Sequence, residues 1–293
     1  MHTLHGFCTP LKGKRLDCMI KLIATDMDGT FLDGQGSFDR ERFSRVLDQL
    51  DQKKIPFVIA SGNGIGRLLQ LCQGFEQRLI FVADNGAHVY QNGQTMIRRA
   101  IQQEEVEAIL HFFKGRWADV CLMLSNEENI YMQAGSGQPF EGTDLPIEPA
   151  QMAAFQSRVT YLDDLSAYPI SEPIYKVGLW VPEARVESIT EGFNQAFQGT
   201  LVAVTSGYGS IDILPEGIHK AWGLKQVLTC LDIEPEQAMA FGDSDNDIEM
   251  LNYVGYSYAM ENATDKVKAV AKYRAPSHLE AGVLQVIEEY IVI

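Results

Sequence analysis

Lys21-Leu22-Ile23-Ala24-Thr25-Asp26-Met27-Asp28-Gly29-Thr30 decides how the chain reads: a short apolar run that ends on two carboxylates, one residue apart, and then a glycine. Ile55 to Ser61 (IPFVIAS) and Leu79 to Asp84 (LIFVAD) have the same form. Continuous apolar runs of this length, each followed by polar residues, suit strands buried on both faces of a parallel sheet. Between the first two, Phe43, Val46, Leu47 and Leu50 fall at i, i+3, i+4 and i+7, the stripe of an amphipathic helix. Arg67 to Gln73 supplies a shorter helix before the third run. The resulting βαβαβ order opens a doubly wound α/β fold.

After Asp84 the pattern changes. Ala87 to Gln91, the turn Asn92-Gly93 and Gln94 to Arg98 read as a hairpin, which a parallel crossover cannot contain. Beyond it, helices at Glu104 to Lys114 and around Val186 to Phe197 mix with strands VCLMLSN, NIYMQAG, IYKVGLWV and LVAVTSG. Residues 135–173 are rich in Gly, Pro and acids, with a weak helix near Met152 to Phe155. From Ile211 buried runs return: a helix after Lys220, the strand AMAFG, a helix from about Asn246, the strand YSYAM and two further helices. The expectation is a discontinuous, Rossmann-like parallel-sheet core, 19–97 plus 207–293, with an α+β cap inserted at 98–206. Residues 1–18 are expected to be a leader outside the fold, because Met19 directly precedes the first run.

At 293 residues, 46% hydrophobic and 22% charged, the chain has an ordinary globular composition, which excludes disorder and a disulfide-stapled miniprotein. Its formal charge of −15 argues against nucleic acid and anionic membrane as partners. An anionic substrate therefore needs a local cation. Five widely spaced cysteines with no CxxC pair read as reduced thiols of a cytoplasmic protein, and no apolar run approaches a membrane span.

Asp26 to Thr30 lies at the carboxyl end of the first strand, where open α/β sheets place their ligands. One carboxylate there can attack while the other moves protons; an Asp-rich turn would have the same composition. The second cluster, Gly242-Asp243-Ser244-Asp245-Asn246-Asp247, also follows a buried run and opens a helix. Three aspartates and an Asn exceed what one N-cap needs. Helix geometry from Asp243 would put Asp243 and Asp247 on one face. An EF-hand is excluded, since its sixth and twelfth positions would be Phe31 and Ser37, or Ile248 and Val254. Two such clusters brought together repel by roughly 4 kcal/mol per close pair, so the site needs a cation, and all-oxygen ligation fits Mg2+ better than Zn2+. Ser61-Gly62-Asn63 ends the second strand, where a hydroxyl and free amides can hold a phosphate oxygen or simply cap a turn. Lys220 begins a helix, an unfavourable place for a cation, which hints at a use.

Taken in order, DMDGT, ASGN, a Lys before a helix and GDSDND resemble the four motifs of the haloacid dehalogenase-like hydrolase superfamily. The insert, Asn85 to Ala87 and TSGYGSIDILPEGIHK resemble its Cof-type branch, particularly sugar-phosphate phosphatases. The resemblance implies that Asp26 is the nucleophile and Asp28 the acid and base. Mg2+ is implied at the Asp26 carboxylate, the Asp28 carbonyl and Asp243. Ser61, Gly62, Lys220 and Asn246 are implied to contact phosphate or substrate, and Asp247 to orient the metal shell or Lys220. Asn63 stands where many members have Arg, and Glu261 where Gly is usual. Lys176 and Tyr208 are candidate cap contacts.

The activity so implied is Mg2+-dependent hydrolysis of small phosphorylated metabolites, chiefly sugar phosphates, by a monomer or weak dimer. A phosphomutase with the same aspartyl-phosphate, or a non-catalytic phospho-acceptor or metabolite-binding protein, are the alternatives. A receiver-like acceptor of about 120 residues would carry no insert.

Overall fold

The computed structural model describes residues 20–126, 128–137, 139, 149–207 and 209–289. The expected leader and Tyr208 lie outside them. The chain opens with β1 (Leu22–Thr25), α1 (Arg40–Lys53), β2 (Phe57–Ala60), α2 (Ile65–Leu71), β3 (Leu79–Ala83), β4 (His88–Gln91) and β5 (Gln94–Arg98). It continues through α3 (Gln103–Phe112), β6 (Met123–Ser125), β7 (Ile130–Gln133), α4 (Pro149–Arg158), β8 (Val159–Leu162), β9 (Lys176–Trp180), α5 (Glu183–Ala196), β10 (Leu201–Gly207) and β11 (Ser210–Pro215). It ends with α6 (Lys220–Cys230), β12 (Ala238–Gly242), α7 (Ile248–Tyr253), β13 (Tyr256–Met260), α8 (Asp265–Val270), β14 (Tyr273–Ala275) and α9 (Gly282–Ile287).

Two sheets form. The eight-stranded sheet has the order β14-β13-β12-β1-β2-β3-β4-β5, parallel from β14 to β3 and antiparallel where the β4–β5 hairpin closes its edge. Every residue of β1, β2 and β3 is buried, as continuous apolar runs require. Chain order runs outward from β1 in one direction and from β12 in the other, so the reversal lies between these two neighbours. That reversal opens a crevice at the strands' carboxyl ends, where α/β sheets place their ligands.

The helical stripe falls where its spacing puts it: Phe43, Val46, Leu47 and Leu50 of α1 are all buried. Asp39 caps the helix by accepting from the Arg42 amide at 2.9 Å. Phe43 joins Phe31, Phe38, Phe57 and Phe75 in an aromatic cluster with ring centroids 4.9 to 6.1 Å apart. Burial of each such ring contributes roughly 1.5–3 kcal/mol. The cluster anchors the loop that follows Asp26 and Asp28 on the core.

The six-stranded sheet has the order β10-β11-β9-β6-β7-β8 and its own apolar core, centred on Phe113, Leu122, Val177, Phe193 and Ile211. Its pairings are antiparallel except β7 with β8. Here the structure moves a boundary. β11 was expected in the core from 207 onward, yet it pairs antiparallel with β9 and β10, so the chain returns to the parallel sheet only after Pro215. Its buried Ile211, Asp212, Ile213 and Leu214 form a run that fits either sheet by pattern alone. β8 and the three-residue β14 were not expected.

α6 sits close against the end of β3. A methyl group on Gly223 would lie 2.4 Å from Val82 Cγ1 and 2.9 Å from the Gly86 Cα. Gly223→Ala should destabilise the chain by about 1–3 kcal/mol through overpacking. It should also lower turnover, because Lys220 rides on the same helix. Urea unfolding midpoints together with phosphate-release rates check this; an unchanged midpoint would refute the close packing.

Candidate active site

Asp26 follows β1 directly, its amide donating to the Phe241 carbonyl of β12 at 3.1 Å. Strand pairing thus fixes it at the crevice. Lys220 Nζ donates to Asp26 Oδ1 and to Asp247 Oδ1, both at 2.7 Å, and all three side chains are almost fully buried. His219 caps α6 by accepting from the Trp222 amide, so it serves as a helix-start residue. The two carboxylates offset the unfavourable helix dipole at Lys220.

Asp243 leaves β12 beside Asp26. Its Oδ1 accepts from the Thr30 hydroxyl at 2.7 Å and its Oδ2 from the Ser244 hydroxyl at 3.1 Å. Gly29 makes room for it: at φ +76° a Cβ would lie 2.5 Å from Asp243 Oδ2. Asp243 and Asp247 were expected on one helical face, but α7 begins only at Ile248, after a short 3-10 turn at Asp245–Asp247. Asp247 Oδ2 instead folds back to accept from the Asp243 and Ser244 amides at 3.0 and 3.1 Å. Asp26, Asp243 and Asp247 each offer an oxygen within 4.8 Å of the others.

The electrostatics follow from burial. Burial pushes the Asp26 carboxyl well above its ordinary value against the pull of Lys220, with Asp247, Asp243 and Asp28 adding to the rise. Asp243 is raised to about 6, by burial first and then by Asp247. Burial alone would lower Lys220, yet Asp247 and Asp26 outweigh it and hold it above its ordinary value. Three carboxylates around one ammonium leave negative charge uncompensated. The donor set is all oxygen, and both Asp247 oxygens are occupied by Lys220 and backbone amides. Asp26 and Asp243 therefore fit a small hard cation.

Asp28, one residue past Met27, faces another set of partners. Its Oδ2 accepts from Asn63 Nδ2 at 2.5 Å, and Arg67 Nη2 lies 3.4 Å from its Oδ1. The Asn63 amide and side chain both donate to Ser61 Oγ at 3.1 Å. Ser61 is buried, its amide donating to the Val82 carbonyl. Lys176 of β9 donates from Nζ to the Gly62 carbonyl at 2.9 Å and pairs with Asp212 Oδ1 at 3.1 Å. Asn246 Nδ2 donates to Asn85 Oδ1 at 3.0 Å. Asp26, Asp28, Ser61, Gly62, Asn63, Lys220, Asp243, Asn246 and Asp247 thus lie on the loops after β1, β2 and β12 and at the start of α6. Arg67 and Thr30 were missed. Arg67 lies in the first turn of α2, four residues past Asn63, which stands before the helix.

Fold and site together define a class. The chain matches the haloacid dehalogenase-like hydrolase family over residues 23–287. It is 33% identical over 272 residues to the 5-amino-6-(5-phospho-D-ribitylamino)uracil phosphatase YbjI of Escherichia coli (strain K12), covering 93% of this chain and 96% of that protein. An HMP-PP phosphatase of Serratia proteamaculans (strain 568) is 25% identical over 252 residues, 86% of this chain and 88% of that protein. The crystal structure of SMU.1108c from Streptococcus mutans UA159 superposes with a TM-score of 0.81 at 36% identity, covering 94% of this chain and 100% of that one. The chain belongs to the haloacid dehalogenase-like hydrolase family, in its Cof-type branch, and is a phosphatase of that family. Among the described residues no helix is long and apolar enough to cross a membrane.

A carboxyl raised in the folded state binds protons more tightly there than in the unfolded chain. Stability contributed by Asp243 therefore falls as pH rises from its ordinary value of 3.8 to about 6. In EDTA, Asp243→Asn should be more stable than the parent at pH 7.5 by up to about 3 kcal/mol. The difference should shrink at pH 5. Urea titrations at the two pH values test this; a variant less stable at pH 7.5 would contradict it.

Proposed function

We propose that the chain hydrolyses phosphate monoesters of sugars and sugar alcohols, with Mg2+, through an aspartyl-phosphate on Asp26. The observation that carries this reading is the buried Asp26 carboxylate at the strand reversal, 2.7 Å from Lys220 Nζ and within reach of Asp243. The phosphoribityl group in the name of the E. coli relative supports the substrate class.

In the first step an Asp26 oxygen attacks phosphorus. The new P–O bond forms as the P–O bond to the sugar oxygen breaks, and a protonated Asp28 gives its proton to the departing alkoxide. Asn63 and Arg67 hold the Asp28 carboxyl in place. In the second step water attacks phosphorus, Asp28 takes a proton from it, and the bond to Asp26 breaks, releasing inorganic phosphate. Lys220 and Ser61 hold the phosphoryl oxygens in both steps, and Asn246 contacts phosphate or substrate. Asp247 fixes Lys220 and the Asp243 loop. Bound Mg2+, held by Asp26, Asp243 and the Asp28 carbonyl, would neutralise phosphoryl charge. The rest is positioning and electrostatics, the main components of catalysis in phosphoryl transfer.

The test is phosphate release from sugar phosphates, ribityl phosphates, nucleotides and p-nitrophenyl phosphate, with Mg2+ and with EDTA. Mg2+-dependent release that favours the sugar and ribityl esters is expected. Asp26→Asn should reduce turnover by more than about a thousandfold. Full turnover by that variant would remove Asp26 as nucleophile, and phosphate transferred back to sugar through a bisphosphate would indicate a mutase.

A further inference from the structure

Polar groups, two of them the buried Asp212 and Asn85, link the six-stranded sheet to the loops of the active site. Asp212 of β11 is 4% exposed and uses both carboxylate oxygens. Oδ1 pairs with Lys176 on the neighbouring strand β9, which reaches across to the Gly62 carbonyl beside Ser61. Oδ2 accepts from Asn85 Nδ2 at 2.8 Å, and Asn85 Oδ1 accepts in turn from Asn246, in the loop that holds Asp243 and Asp247. Asn85 is 1% exposed and sits at φ +51°, after Asp84 at φ +50°. Two successive left-handed residues need surroundings that hold them there. The amides of Asp84 and Asn85 donate to the carbonyls of Asn63 and Ser61 at 3.0 Å each, closing the network on the phosphate-binding loop.

Resting on the phosphatase reading, we propose that Asp212 is a positioning residue for phosphoryl transfer. It clamps the second sheet onto the Ser61–Asn63 loop through Lys176, and onto the Asp243–Asp247 loop through Asn85 and Asn246. The two loops that grip phosphate and cation are thereby set in register by a carboxylate that acts through Lys176 and Asn85. The same clamp holds the half-buried Lys176, whose side chain is 26% exposed. Its ammonium faces Asp212 and Asp84 against the repulsion of Arg67, so the two acids balance it.

This role is distinct from recognition of the leaving group. A residue that only grips the sugar affects esters unequally and leaves inorganic phosphate untouched. A clamp on the phosphate and cation loops affects every ligand that carries a phosphoryl group. The experiment uses full-length Asp212→Asn, Lys176→Met and Lys176→Arg in Mg2+. It measures kcat and KM for a sugar phosphate and for p-nitrophenyl phosphate, inhibition by inorganic phosphate, and urea midpoints. Asp212→Asn and Lys176→Met should each weaken phosphate inhibition about tenfold, the ordinary scale of coupling between linked elements. Both should lower kcat/KM for the two esters by similar factors, and Lys176→Arg should recover part of the loss. If Asp212→Asn does not fold, Lys176→Met and Lys176→Arg carry the test alone. Phosphate inhibition equal to the parent's in folded variants would overturn the clamp, as would losses confined to the sugar ester. A parent that neither releases nor binds phosphate would overturn the phosphatase reading instead, and this inference with it.

Discussion

The buried ammonium of Lys220, held between Asp26 and Asp247, is the interaction on which the rest of the site depends. Burial favours the protonated form of a carboxyl as enclosed as Asp26, Lys220 opposes that shift, and a protonated carboxyl is a poor nucleophile. A buried ion pair brings little net stability, because removal of both charges from water opposes the attraction between them. Its contribution here is placement. Lys220 fixes one oxygen of Asp26, and Asp247 fixes Lys220 while its second oxygen ties down the two amides that start the Asp243 loop.

The fold makes this grouping possible at low conformational cost. β1 and β12 are adjacent and parallel, so the residues that follow them emerge side by side at the sheet's reversal. Asp26 and Asp243 are more than two hundred residues apart in sequence, yet each is the first residue beyond a fully buried strand. The strands' position leaves the loops little freedom to separate them. The Phe31 to Phe75 cluster stiffens the loop on one side, and the close approach of α6 to Gly86 brings Lys220 in from the other.

Much of this was legible in the sequence because it is written locally. The apolar runs of β1 to β3, the Phe43 to Leu50 stripe, the Asn92-Gly93 hairpin and the paired aspartates all have short-range patterns. What was not legible depends on pairing at a distance. Ser210–Pro215 is a buried run whose sheet is decided by its partners, β9 and β10, and no periodicity distinguishes that from a core strand. Asp212 looks like an isolated acid in an apolar strand. Its reason for being there, Asn85, is 127 positions away. Asp247 read as a helical neighbour of Asp243, but helix geometry starts too late for that, and the carboxylate serves the amides that precede it.

The overall charge places a further demand on the crevice. A chain of formal charge −15 repels phosphate esters at long range, so attraction must be local and aimed. Lys220 lies at the floor, Arg67 beside Asp28, and Lys176 where the second sheet meets Gly62. Each of the three is paired with at least one aspartate. These cations therefore form no general basic patch that would hold any anion. On the proposed reading, a phosphoryl group gains from them by entering an arrangement the carboxylates have already fixed, and a rigid, pre-set field of this kind stabilises charge that develops in a reaction without reorganisation. The acidic exterior and the paired cations within thus serve one end, selecting anions by fit at the strand reversal rather than by net charge.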